Sequence, residues 1–153
     1  NWLSGQSAHA LPNTLLVVCA DHGFVSTPED AAYGVEGSEL EKLLLVPHSG
    51  EARFAYLHTM EGTSETIRVQ IQEALGPDYV LIESQRALSA GLLGPGPIGK
   101  ETPVRLGHYV AIARGPHYID RLGRAAWMRG RHGGLAPEEM LVPWLAVRTD
   151  DLT

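Results

Sequence analysis

The chain has 153 residues, with 18 acidic against 12 basic side chains and a formal charge of −6. That length supports one buried core, and an apolar share of 44% argues against disorder. The acidic balance argues against nucleic acid as a partner, and no apolar run reaches the roughly 20 residues of a membrane helix.

Asn13 to Ala20 is uncharged and rich in aliphatic side chains. It reads as a strand covered on both faces, as parallel strands of α/β domains are. Cys19 falls within it, where a small buried hydrophobe is expected. As the single cysteine it can form no internal disulfide, which favours a cytoplasmic location. Asp21, His22 and Gly23 follow at the strand's carboxyl end, where open α/β sheets place working residues. A carboxylate and an imidazole side by side can share one divalent ion, with glycine letting the backbone turn.

After Gly23, Thr27-Pro28-Glu29-Asp30 has the cap, proline and acids of a helix start. Ser38-Glu-Leu-Glu41 is a capping box opening a helix with Leu40, Leu43 and Leu44 on one side. Residues 52–59 alternate as a strand does. Thr63 to Leu75 reads as a helix with an Ile67, Ile71, Ala74, Leu75 stripe, stopped by Gly76-Pro77. Tyr79 to Ile82 reads as a strand, Ser84 to Leu93 as a helix, and His108 to Ala113 as a strand. Residues 94–99 form a proline-interrupted loop rather than a phosphate cradle, because proline lacks the amide donor. The β-α-β-α-β order is that of a small ferredoxin-like unit.

The tail returns to core texture. His132 stands beside Gly133 and Gly134, Pro137 to Leu141 gives about one helical turn, and Val142 to Val147 reads as a strand. Pro143 belongs at its start or on an edge, and the strand is expected to join the sheet of residues 14–20. Glu138 and Glu139 read as first-turn acids facing the helix dipole.

Two of these stretches carry a resemblance. TLLVVCADHGF, Thr14 to Phe24, resembles the metal-binding strand and turn of the alkaline phosphatase superfamily. RHGGLAPEEMLVPWLAV, Arg131 to Val147, resembles the last metal-ligand segment of its type I phosphodiesterase/nucleotide pyrophosphatase family. They stand in the family's order and cover about a fifth of the chain.

The resemblance implies an α/β fold: part of an alkaline-phosphatase-like mixed sheet, residues 1–33 and 128–153, with an inserted ferredoxin-like α+β cap at 34–127. It implies two zinc ions per complete site, with manganese or another divalent metal as the alternative. Asp21 and His22 would serve the ion that holds the nucleophile, and His132 the other. The family's Thr or Ser nucleophile, an Asp ligand and an Asp-x-x-x-His pair have no counterpart here. The chain is therefore expected to be a carboxy-terminal fragment of a hydrolase of phosphate esters or nucleotides, with no catalytic nucleophile and no appreciable activity alone. Other readings are a phosphomonoesterase, sulfatase or phosphoglycerate mutase-like member of the superfamily, or a non-catalytic interaction module. A homodimer that completes exposed sheet edges is a further expectation.

Charge adds one candidate. Residues 1–99 hold four basic and twelve acidic side chains, whereas Lys100, Arg105, Arg114, Arg121, Arg124, Arg129 and Arg131 crowd the stretch before His132. Most of these belong to a solvated face. Arg131, beside the expected ligand, is the one proposed to meet a phosphate. The histidines at 9, 48, 58, 108 and 117 lack metal-like spacing, and His117 is the nearest to a supporting role.

Overall fold

The computed structural model describes residues 13–120 and 128–149. Arg121 and Arg124 of the basic cluster, and His9, lie outside the described residues. The fold class is the α/β arrangement expected, built from small sheets and short helices.

Strand β1 (Leu15–Cys19) pairs antiparallel with β10 (Trp144–Arg148), with Leu15 opposite Arg148 and Cys19 opposite Trp144. The carboxyl end of the first therefore lies beside the amino end of the last. The turn that follows Cys19 and the segment that leads into Trp144 meet at one end of the ribbon. Two short pairs extend the junction: β2 (Val25–Ser26) runs antiparallel to β9 (Gly130–Arg131), and β3 (Ala32–Gly34) runs parallel to β8 (Tyr118–Asp120).

Two sequence expectations for this region need correction. β1 joins β10 as expected, but it is antiparallel and open rather than parallel and covered. Leu15 is 60% exposed and Val18 53%, and Cys19 is exposed. An uncharged aliphatic run records a strand's need for cover, and the described residues of this chain leave that need unmet. The helix expected from Thr27 is a single 3-10 turn, Glu29–Ala31, followed at once by β3. Thr27 does not cap it, because its hydroxyl accepts a hydrogen bond from Arg131 Nη1 at 2.7 Å.

The middle of the chain folds around a four-stranded sheet ordered β4 (Ser49–Glu51), β5 (Phe54–Leu57), β7 (Tyr109–Ala113), β6 (Tyr79–Glu83), every neighbour antiparallel. β5 and β6 thus run parallel with β7 between them, the split β-α-β of ferredoxin-like units. Side chains alternate across β7 as the pleat requires. Tyr109, Ala111 and Ala113 face a core formed by Ile67, Ile71 and Leu75 of one helix and Leu40 of another. Val110 and Ile112 face a second core with Phe54, Ala87, Leu88 and Leu106. Helices therefore cover both faces of this sheet, and all five β7 residues are buried.

The first α-helix begins where its capping box predicts. In α1 (Glu39–Leu43) the Ser38 hydroxyl accepts from the Glu41 amide at 3.3 Å, and the Glu41 carboxylate accepts from Gly37 N at 2.7 Å. In α2 (Glu65–Leu75) Ser64 caps Ile67 N, and Gly76 leaves the helix at φ 71°. Ile67, Ile71 and Leu75 are buried at the spacing the stripe gave. α3 (Ser84–Ser89) is shorter than the sequence suggests, and α4 (Thr102–Leu106) is an addition to it. α5 (Pro137–Met140) lies in the expected tail turn, and Pro143 stands just before β10, where no ladder bond is needed.

Candidate metal centre

The antiparallel ribbon brings Asp21, His22 and His132 together. The rings of His22 and His132 stack with centroids 3.7 Å apart and planes 17° from parallel. Phe24 sets an edge-on contact against both, at 5.0 Å from His22 and 5.4 Å from His132. Asp21 lies on the exposed side, its Oδ1 accepting from the His22 amide at 3.0 Å. Hydrogen bonds from its own amide and that of His22, then the nearby His22 ring, hold its carboxyl below the ordinary range.

These donors suit a cation. His22 Nδ1 lies 3.0 Å from the Gly23 carbonyl. A proton on Nδ1 then donates to that oxygen and leaves the Nε2 lone pair free, the tautomer in which second partners usually fix metal-binding imidazoles. Nε2 stands 3.6 Å from Asp21 Oδ2. Two donors bound tetrahedrally to one zinc at ~2.0–2.1 Å each stand about 3.3 Å apart, so a small adjustment lets this pair share an ion. His132 offers a nitrogen donor one ring-stack away, and ions of two-metal sites sit at ~3.5–4 Å from one another. Among the described residues no three His, Cys, Asp or Glu side chains converge as a ready ligand group.

Glycines let the two turns close. A Cβ on Gly23 would stand 1.9 Å from the Glu138 carbonyl oxygen, and one on Gly134 would stand 2.6 Å from a Glu139 carboxylate oxygen. Gly133 adopts φ 97°, a conformation that side chains disfavour.

Behind the rim lies a polar network that the sequence reading missed. Glu139 is 3% exposed and Arg53 is fully buried. Arg53 Nε and Nη2 donate to Glu139 Oε1 and Oε2 at 2.6 and 3.0 Å, a bidentate pair. The carboxylate also accepts from the amides of Gly134 (2.9 Å) and Ala136 (3.1 Å), and the Glu139 carbonyl accepts from Gly23 N at 2.9 Å. One residue thus holds the His132 turn with its side chain and the His22 turn with its backbone. Burial pushes this carboxyl upward, but the Arg53 hydrogen bond, the two amides and the Arg53 charge outweigh it, so the group stays below its ordinary value. The available signal was positional: a Glu three residues after a helix start reaches back to the cap amide, here that of Ala136.

Arg131, the side chain expected to meet a phosphate, is engaged within the fold. It is 8% exposed, Nη1 donates to Thr27 Oγ1 and to the Met128 carbonyl at 2.9 Å, and its guanidinium lies 3.6 Å from the Tyr118 ring centroid. These contacts brace the strand that carries His132. His117 supports the site through its carbonyl, which accepts from Arg53 Nη1 at 2.6 Å, while its ring faces Asp78. His108 Nδ1 accepts from Thr59 N within the inserted unit.

No protein-family model matches the sequence, and no curated protein does. Solved structures do. Murine ectonucleotide pyrophosphatase/phosphodiesterase 5 superposes with a TM-score of 0.63 at 18% identity, over 90% of this chain and 35% of its own. This segment has the fold of a nucleotide pyrophosphatase/phosphodiesterase. The human ectonucleotide pyrophosphatase/phosphodiesterase 5 gives a TM-score of 0.59 at 16% identity, over 90% of this chain and 34% of its own. An inactive variant of the murine protein in complex with AMP gives 0.57 at 18% identity, over 86% and 33%. The chain spans about a third of the length of these phosphodiesterase structures.

Proposed function

We propose that this chain is the carboxy-terminal part of a two-metal phosphodiesterase/nucleotide pyrophosphatase-type hydrolase of phosphate esters. The observation that carries the reading is the His22–His132 stack. Two turns, each resembling a metal-ligand segment of that family, converge at the rim of a fold matching its structures. Asp21 and His22 would hold one zinc and His132 a second, each ion needing further ligands from outside this chain. Such ions activate a hydroxyl nucleophile and draw charge from the phosphate oxygens. The residues here orient them: Gly23 O sets the His22 tautomer, and Glu139 fixes the spacing of the two turns.

The substrate class follows from the same reading. One fold neighbour is a complex with AMP, which supports a phosphate ester or nucleotide as the small-molecule partner. The isolated chain lacks the nucleophile that the family uses, so it binds a divalent ion without turning over ester.

The test is calorimetric titration of zinc into the purified chain, with a parallel assay against bis-p-nitrophenyl phosphate. Zinc binding that disappears in His22→Ala, with no measurable hydrolysis, supports the reading. Equal zinc binding by wild type and by the combined Asp21→Asn, His22→Ala and His132→Ala variant sinks it.

A further inference from the structure

A cleft of about 260 Å³ opens beside the two stacked rings, between the inserted sheet and the glycine turn. His22 and His132 belong to its lining. Much of the rest is apolar and aromatic, with Phe54 and Tyr56 from β5, Leu92 and Leu93 after α3, and Met140 from α5. Phe54 and Tyr56 meet edge-to-face with centroids 5.9 Å apart, a fixed aromatic wall. Leu93 and Met140 are 48% and 59% exposed, apolar side chains kept at a mouth that opens to water.

The charges in the cleft are one-sided. Its described lining includes the carboxylates of Glu51 and Glu139 and no lysine or arginine. Glu139 is neutralised by Arg53, but Glu51 is exposed, and its side chain stands over Gly133. Away from the ions of the metal-centre reading, an anionic group lying here would meet a carboxylate with no lysine or arginine in the described lining to offset it. An uncharged apolar group would be received on aromatic and aliphatic surface, the usual lining of small-molecule sites.

We propose that this cleft is the subsite for the organic group carried by the phosphate, and that it selects an apolar group, aryl or alkyl, over a second phosphate. This rests on the metal-centre reading above and deepens it. His22 and His132 place the phosphorus near the ions, and Tyr56, Leu92, Leu93 and Met140 receive the rest of the ester. Esters of apolar alcohols are then the preferred substrates of the complete site, and pyrophosphate linkages are the poorer ones.

Nuclear magnetic resonance of the full chain tests the pocket and the metal separately. Benzyl alcohol, without metal, is expected to shift the resonances of Tyr56, Leu92 and Leu93, and Leu93→Glu is expected to abolish those shifts. With zinc present, phenylphosphonate is expected to bind at least tenfold tighter than methylphosphonate, with methylenediphosphonate gaining nothing over methylphosphonate. Leu93→Glu should remove the phenyl preference. No benzyl alcohol response at these residues overturns the pocket itself. Equal affinity for the two monophosphonates with zinc overturns the selectivity while leaving the metal centre standing. A benzyl alcohol response with no zinc dependence of either phosphonate overturns the metal-centre reading, and the substrate assignment with it.

Discussion

Arg53 and Glu139, 86 residues apart in sequence, meet in a bidentate ion pair with both side chains out of contact with water. Arg53 also donates Nη1 to the carbonyls of Gly115 (2.9 Å) and His117 (2.6 Å). The guanidinium thus joins the four-stranded sheet, through Glu139, to the turn after His132. Breaking a buried pair by removing one charge costs ~3–5 kcal/mol, because the other charge is left without compensation. Glu139→Gln, which preserves shape, is expected to lose stability of that order in urea unfolding. An effect below about 1 kcal/mol would show that water reaches Arg53.

The same pair sets an acid limit. The folded Glu139 carboxyl lies below its ordinary value, so its contribution is complete above the unfolded-state value and fades as pH falls through the folded one. Stability is expected to decline below about pH 4.3, where glutamate titrates in unfolded chains. In Glu139→Gln the decline over that window should be shallower. Matching pH profiles of the two proteins would refute the assignment.

Close approach at Gly23 gives a backbone test. Its amide donates to the Glu139 carbonyl, and a Cβ there would collide with the Glu138 carbonyl oxygen at 1.9 Å. Backbone must move to admit it, and forced overpacking costs ~1–3 kcal/mol. Gly23→Ala is expected to fall by at least that much and to speed hydrogen exchange at residue 23. Gly37→Ala, which meets nothing within 4 Å but sits at φ 74°, should cost less and leave residue 23 protected.

Apolar side chains left open on the β1–β10 ribbon predict association. Leu15, Val18, Trp144 and Leu145 are each more than half exposed, and open apolar strands invite pairing with another copy. Gel filtration is expected to show a concentration-dependent dimer. Trp144→Lys combined with Leu145→Lys should return it to monomer. A single monomeric peak at all concentrations of the unaltered chain would contradict this.

Periodicity made the four-stranded unit legible. Ile67, Ile71 and Leu75 announce one buried helix face, and His108 to Ala113 announces a strand. Ser38 marks a helix start that the structure keeps. The meeting of His22 with His132 was legible only through the two resembling segments, since nothing in local composition relates residues so distant. Other features were hidden for physical reasons. β2, β8 and β9 are two or three residues long, too short for any alternation to register. Arg53 and Glu139 each look like surface residues until the partner is known, because burial of a charge is a property of the pair. For β1, its own residues cannot say which chain segment supplies its cover.

The parallel pairing of β3 with β8 carries its own consequence. Tyr118 packs beneath Arg131 from β8, while the next residue, Ile119, donates its amide to the Ala52 carbonyl just ahead of β5. The segment is a mortise, touching the strand that leads into His132 on one side and the residue that leads towards β5 on the other. A substitution at Tyr118 should therefore change metal affinity and ligand preference together, although this side chain touches neither.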